Sequence, residues 1–330
     1  MRDKPRNLAS LQGRLNNIVT EEGRSLARLQ RAIANTVIGQ MLPPGVVKGG
    51  TAMKARLGEL ASRFTPDFDA ARAARLGLEE YLEQLEDKLA EGWGGFTGTI
   101  QTVDGVQPED VPEEYVMKPY DIRLAYEGRH WLKVRFELGR DEVDSTEHFQ
   151  MRLAQDIIEL FQQLGLPTPE PLPVMLAEHQ VAQKLHACTS VSPKTGRNER
   201  AHDLVDLQLL EEEEEVELAA VNAIATRLFA GRGAQIWPPG VRAYDGWDML
   251  YAKAAEGLNV MADVDEAVQW ANDFIGRVVA AGQAPRGGGG DGAAAIATGA
   301  GTGDRGGAAA ADGGGDTTPA ADGGEGAAAR

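Results

Sequence analysis

The sequence predicts an α+β protein, with an N-terminal lobe built on a mixed or antiparallel sheet and an all-helical lobe after it. Three observations predict this. Short runs rich in β-branched and aromatic residues cluster between residues 97 and 138. Apolar residues recur at three- and four-residue spacing from Glu147 to Gly276. Beyond about Ala281 the chain is nearly all Gly, Ala, Asp and Thr, with no aromatic residue. The expected division is an N-terminal unit at 1–143, a helical unit at 144–282 and a disordered Gly/Ala-rich tail at 283–330, which holds too little apolar surface to offset its ordering entropy.

Each element follows from local pattern. Leu11, Leu15 and Ile18, then Leu26, Leu29, Ile33 and Val37, keep the helical period with a break near Glu22-Gly23, so two helices are expected. Pro43-Pro44-Gly45 stops the second, and Val46-Val47-Lys48 reads as a short strand leading into Gly49-Gly50-Thr51, with a helix over 52–61 directly after. Residues 71–89 read as another helix, carrying Leu76, Leu78, Leu82, Leu85 and Leu89. Strands are expected at 97–103, 120–126 and 131–138, the last two forming an antiparallel hairpin around Glu127-Gly128-Arg129. In 131–138, alternation sends Leu132, Val134, Phe136 and Leu138 to a core, and Trp131, Lys133, Arg135 and Glu137 to the opposite face. The pattern from 147 to 276 reads as helical throughout, broken only at 167–173, 190–197 and 237–240, and no internal repeat is present.

The formal net charge is -17, and the tail supplies little of it, because Asp291, Asp304, Asp312, Asp316, Asp322 and Glu325 face Arg286, Arg305 and Arg330. An acidic body argues against broad, sequence-independent binding to nucleic-acid phosphates, which needs clustered Lys and Arg, while leaving room for a local basic cleft. The single cysteine, Cys188, rules out an internal disulfide and fits a reducing compartment. No window approaches the roughly 20 apolar residues of a bilayer span, so a soluble cytoplasmic protein with no membrane contact is expected.

Four segments carry chemistry. Glycines after a strand and before a helix let backbone N–H groups approach a phosphate, which Gly49-Gly50-Thr51 satisfies; two glycines at a strand end are also simply a tight turn. In Asp67-Phe68-Asp69, strand geometry converges the two carboxylates while Phe68 anchors the other face, a pairing suited to Mg²⁺; the competing reading is an exposed loop after Pro66. Glu137, on the polar face of its strand, would complete a three-carboxylate set able to hold two metal ions, or else is a surface residue paired with Arg135 or Lys133. In the helical half, Lys184 lies in Glu178-His-Gln-Val-Ala-Gln-Lys-Leu-His-Ala187, and Asp203 and Asp206 lie three apart in Arg200-Ala-His-Asp-Leu-Val-Asp-Leu207. There the alternative is an Arg200–Asp203 pair on a solvated helix face. His179, His186 and His202 lack the spacing of a zinc site and read as packing or surface residues.

Taken in order, Lys48-Gly-Gly-Thr51, Arg63-Phe-Thr-Pro-Asp-Phe-Asp69, Lys184-Leu-His-Ala187 and Arg200-Ala-His-Asp-Leu-Val-Asp-Leu207 resemble the AbiEii/AbiGii-type nucleotidyltransferase toxins, a branch of the polymerase-beta-like nucleotidyltransferase superfamily. The resemblance covers about 46–210. It implies a nucleotidyltransferase-like N-terminal lobe and NMP transfer from an NTP with Mg²⁺ or Mn²⁺. Gly49, Gly50, Thr51 and Lys184 would hold the nucleotide, Asp67, Asp69 and Glu137 the metal, and Asp203 would be a second-lobe acidic residue needed for transfer. Two departures stand out: fifteen residues separate Thr51 from Asp67, slightly more than is usual, and the third acidic position is Glu rather than Asp.

The resemblance also implies a toxin paired with a cognate antitoxin in phage defence, acting on an RNA acceptor, the 3′ end of tRNA. Arg56, Arg63, Lys133, Arg135, Lys194, Arg197 and Arg200 are the candidates for a basic patch around the cleft. The competing functions are transfer to a protein or small molecule, and an inactive binding protein of the same fold. Glu211 to Glu215 read as a solvated helix face, which a basic antitoxin would also fit.

Overall fold

A seven-stranded mixed sheet organises the first half of the computed structural model, which describes residues 2–104, 116–192 and 195–284. Its strands are β1 (Gly45–Val47), β2 (Asp67–Arg72), β3 (Phe96–Thr102), β4 (Lys118–Tyr126), β5 (Arg129–Gly139), β6 (Phe149–Arg152) and β7 (Leu172–Met175), arranged β3-β4-β5-β2-β1-β7-β6. β2 pairs with β5 and β1 with β7 in parallel; the other pairings are antiparallel. The helices are α1 (Leu8–Glu22), α2 (Leu26–Gln40), α3 (Gly49–Leu57), α4 (Leu78–Glu91), α5 (Gln155–Leu164), α6 (Ala177–Thr189), α7 (His202–Glu213), α8 (Leu218–Arg232), α9 (Trp247–Ala255) and α10 (Val264–Gln283).

Two hydrophobic cores correspond to the two lobes. The first gathers α1, α2, α4, α5 and one sheet face around residues such as Ile33, Phe68, Leu85 and Phe136, and Phe68 and Phe136 stack at 5.7 Å between centroids. The second gathers α6, α7, α9 and α10 around Leu185, Leu207, Trp247 and Phe274. α3 serves both, because Ala52 and Ala55 pack into the first core and Met53 into the second. A helix buried on all sides in this way fixes its N-terminus against both lobes.

The expected α+β order, with helices completing the chain, is the one observed. Several local readings are corrected. Residues 147–276 are not helical throughout: Phe149–Arg152 and Leu172–Met175 form β6 and β7, so the sheet continues past the expected division at 143/144. Ala71 and Arg72 end β2 and do not begin a helix. The helix after β1 starts at Gly49, so the two glycines are its first turn and not a preceding turn. Trp131 is buried rather than outward-facing, because β4 and β5 slip register where Leu124 meets Leu132 and Ala125 meets His130, leaving Trp131 as the extra residue of a bulge that packs on Phe96 at 5.2 Å. The glutamate run is only partly solvated: α7 ends at Glu213, Glu211 pairs with Arg277, and Glu214 lies 3.2 Å from Arg56. Residues 285–330 of the expected tail lie outside the described residues.

Candidate active site

Strand register builds the acidic cluster. β2 runs parallel to β5 with Asp67 opposite Arg135 and Asp69 opposite Glu137, so alternation places all four on one face while Phe68 and Phe136 fill the core behind them. Burial pushes the carboxyls of Asp67, Asp69 and Glu137 above the usual range; for Glu137 the neighbouring charges of Asp69 and Asp67 add to the effect. Lys48, just before α3, opposes this for Asp69, and burial lowers its own ammonium.

The start of α3 faces the same carboxylates. Lys48 is extended and makes no side-chain cap, and the first helical bond runs from the Ala52 N–H to the Lys48 carbonyl, so the first-turn amides have no intrahelical acceptor. Gly49 is required twice over: its φ is 58°, and a Cβ there would overlap Asp69 Oδ2. At Gly50 a Cβ would meet Thr65 Oγ1 at 2.7 Å. Bare backbone therefore comes close to the acidic strand, leaving N–H groups positioned to receive an anion.

The helical lobe contributes cations held by buried carboxylates. Lys184 Nζ lies 3.1 Å from Asp203 Oδ1 and 2.5 Å from Asp206 Oδ2. Arg200 Nε donates to Asp203 Oδ2 at 2.7 Å, and Arg63, from the loop before β2, grips Asp206 through Nε at 3.0 Å and a terminal nitrogen at 2.9 Å. Both aspartates are fully buried, which overturns the solvated-face alternative. Burial alone would raise their carboxyls, but Arg200 and Lys184 hold Asp203 well below the usual range, and Arg63 and Lys184 lower Asp206.

These parts enclose one cavity of about 350 Å³, lined among others by Gly49, Gly50, Asp67, Asp69, Glu137 and Lys184. Thr51 and Asp203 stand behind the wall: the Thr51 hydroxyl donates to the Asp67 carbonyl at 3.2 Å, and Asp203 reaches the cavity only through Lys184 and Arg200. The cavity also takes Lys48, Arg63, Gln180, Gln183, Arg200 and Arg232. Arg63 and Arg200 stood in the quoted motifs; Gln183 and Arg232 carried no local signal, because they are linked through Glu142, to which Gln183 donates at 3.2 Å and Arg232 at 2.7 Å. Of the basic-patch candidates, Arg56 is withdrawn from the surface, bonded to Gln150 at 2.6 Å and the Met175 carbonyl at 2.5 Å, and Lys133 and Arg135 face Asp121. Arg63 and Arg200 remain at the cavity and Arg197 is exposed, while Lys194 lies outside the described residues.

Among the described residues no three His, Cys, Asp or Glu side chains stand in a ready-made chelating arrangement. The donor set nonetheless fits a divalent cation, since three hard-oxygen carboxylates share one cavity, with Asp67 and Asp69 raising the proton affinity of Glu137 and Asp67 that of Asp69, a repulsion a cation would relieve.

The sequence defines the chain as a nucleotidyltransferase, an enzyme that uses nucleoside triphosphates. The profile of the family described as nucleotidyl transferase AbiEii toxin, type IV TA system, matches residues 31–274, most of the chain, and the chain belongs to that family. Membership implies a partner antitoxin. No curated protein matches the chain in sequence. Similar solved structures include MenT4, a nucleotidyltransferase toxin from Mycobacterium tuberculosis H37Rv, at 15% identity and TM-score 0.45 over 82% of this chain and 99% of that one. JHP933 from Helicobacter pylori is similar at 15% identity and TM-score 0.41, over 77% and 91% of the two chains. No described helix is long and apolar enough to cross a membrane.

Proposed function

We propose that this toxin transfers a nucleoside monophosphate from an NTP to the 3′ end of tRNA, in the cytoplasm and in the service of phage defence, with Mg²⁺ or Mn²⁺ held by Asp67, Asp69 and Glu137. The observation that carries the reading is the single cavity in which uncapped amides of α3, three strand carboxylates and the cations Lys184 and Arg200 converge. Lys184 and Arg200, anchored from behind by Asp203 and Asp206, oppose the negative triphosphate while the amides at Gly49 and Gly50 receive its oxygens. Bound there, the metal would neutralise charge on the transferred phosphoryl group and the leaving pyrophosphate. The acceptor hydroxyl oxygen bonds to the α-phosphorus as its proton passes to the Glu137 carboxylate, and the bond from that phosphorus to the α–β bridging oxygen breaks, releasing pyrophosphate. Asp67 and Asp69 keep the reacting groups in line.

Arg63, Arg197 and Arg200 support an RNA acceptor on an otherwise acidic body, and the buried thiol of Cys188 is in keeping with a reducing compartment. Labelled NTPs incubated with the purified chain and total tRNA should label the RNA, and Asp69→Asn should abolish the signal. Labelling that persists in the variant would sink the assigned site; label appearing only in protein or in a small molecule would replace the acceptor.

A further inference from the structure

Gln180 sits in α6 one turn before Lys184, in the wall of the catalytic cavity. It is 2% exposed, and neither Nε2 nor Oε1 of its carboxamide has a hydrogen-bond partner. A buried amide left this way costs stability that Met or Leu at the same place would not. The neighbouring Gln183, by contrast, donates to Glu142. The unmet atoms of Gln180 are one acceptor and one doubly donating nitrogen side by side, both without exposed surface, on a residue that lines the cavity one turn from Lys184.

That pair specifies its ligand chemically. A phosphate offers acceptors alone, so it would satisfy Nε2 and set Oε1 against anionic oxygen. The matching group must donate and accept at adjacent points, as a nucleobase edge or a ribose hydroxyl does. We propose that Gln180 selects the incoming nucleotide, its carboxamide pairing with an adjacent donor and acceptor on the base edge or ribose of the NTP. The inference rests on the reading that this cavity holds the triphosphate. Lys184 and the start of α3 then serve the phosphates common to every NTP, and Gln180 supplies discrimination among them.

The test is isothermal titration of the full chain, with Mg²⁺ present, against the four ribonucleoside triphosphates, their 2′-deoxy counterparts and inorganic tripolyphosphate. Gln180→Met should reduce the preference for the favoured nucleotide about tenfold, the size of one lost hydrogen-bonding pair, while tripolyphosphate affinity stays unchanged. Collapse of the ratio among bases assigns the base edge; collapse of the ribo-to-deoxy ratio assigns the ribose. Melting at or above the wild-type temperature certifies the fold, and Gln180→Leu provides a second apolar replacement. Ratios that match wild type in both variants overturn the proposal. If instead Lys184→Ala leaves NTP affinity unchanged, the cavity reading fails and takes this inference with it.

Discussion

Asp69 lies against Gly49, where a larger residue would not fit, and burial holds its carboxyl above the normal range. A carboxyl whose pKa is raised on folding weakens the fold wherever it is ionised, and the penalty disappears below the unfolded value near 4. Asp69→Asn should therefore eliminate transfer and yet stabilise the protein at pH 7 by about 1 kcal/mol, roughly 2–4 °C in Tm for a chain of this size, with the gain gone at acid pH. Calorimetry across pH 3.5 to 7.5 checks both halves. Gly49→Ala has the opposite balance: it places a Cβ on Asp69 Oδ2 at a φ of 58°, so a loss of at least about 1–3 kcal/mol and of NTP binding is expected, measured by melting and titration.

At the scale of elements, α3 is tied to β2 from its buried face. Asn35 of α2 donates to Thr51 Oγ1 at 3.5 Å, and Thr51 donates to the Asp67 carbonyl, so the helix proposed to receive the anion is locked to the strand that bears the carboxylates. Thr51→Val preserves shape and removes the hydroxyl. It should cost about 1–2 kcal/mol in denaturant melts while leaving the affinity for tripolyphosphate close to wild type, because the hydroxyl does not line the cavity. A large loss of affinity would return Thr51 to direct contact with phosphate.

Elements with a strong local period were legible, and so were residues whose meaning depends on neighbours two positions away. Asp67 and Asp69 flank Phe68 on a strand, and Glu137 falls at the matching parity of β5, so all three reached one face as read. β6 and β7 were not legible because four residues, in β7 including Pro173, carry too little alternation to outweigh the helical period around them; pairing of β7 with β1 and of β6 with β7 makes them strands. Asp203 and Asp206 were visible as a pair, but their burial was not, since it becomes tolerable only with Lys184 from α6 and Arg63, arriving from 143 residues away, beside them. Arg232 was silent for the same reason, its partner Glu142 lying 90 residues earlier.

For the whole molecule, the Arg63–Asp206–Lys184 network ties the loop before β2 to the helical lobe. Asp206→Ala leaves two cations facing a vacated site and should cost about 3–5 kcal/mol, seen in chemical denaturation, along with a higher KM for NTP. Global stability should also fall on mild acidification. Burial lowers His179 and His202 to about 4 and His186 to about 3, so all three remain neutral in the fold while their unfolded counterparts charge near 6.5. Their contribution is complete above that value and is lost as pH drops toward the folded pKa, on the order of 1 kcal/mol per histidine per pH unit. Asp203 and Asp206, held low, lose their contribution only below about 4, while the raised carboxyls of Asp67, Asp69 and Glu137 regain stability on protonation and offset part of the histidine loss. His179→Gln should remove about a third of the histidine contribution, and a pH dependence of melting from 7 to 5 unchanged in that variant would refute it.

The cavity wall runs from Lys48 to Arg232 along the chain, which has a consequence during synthesis. At about 5–20 residues per second, a ribosome needs roughly 10–30 s to pass from Asp69 to Arg232. At the start of that interval the acidic strand has only Lys48 and Arg63 of the cavity's Lys and Arg residues before it in the chain, and Lys184, Arg200 and Arg232 are added as synthesis proceeds. A stalled ribosome–nascent-chain complex ending before residue 184 is expected to be inert toward NTP, and one extending past α10 to be active. The spread of this site along the chain thus delays the first possible turnover until α8, which carries Arg232, has been made.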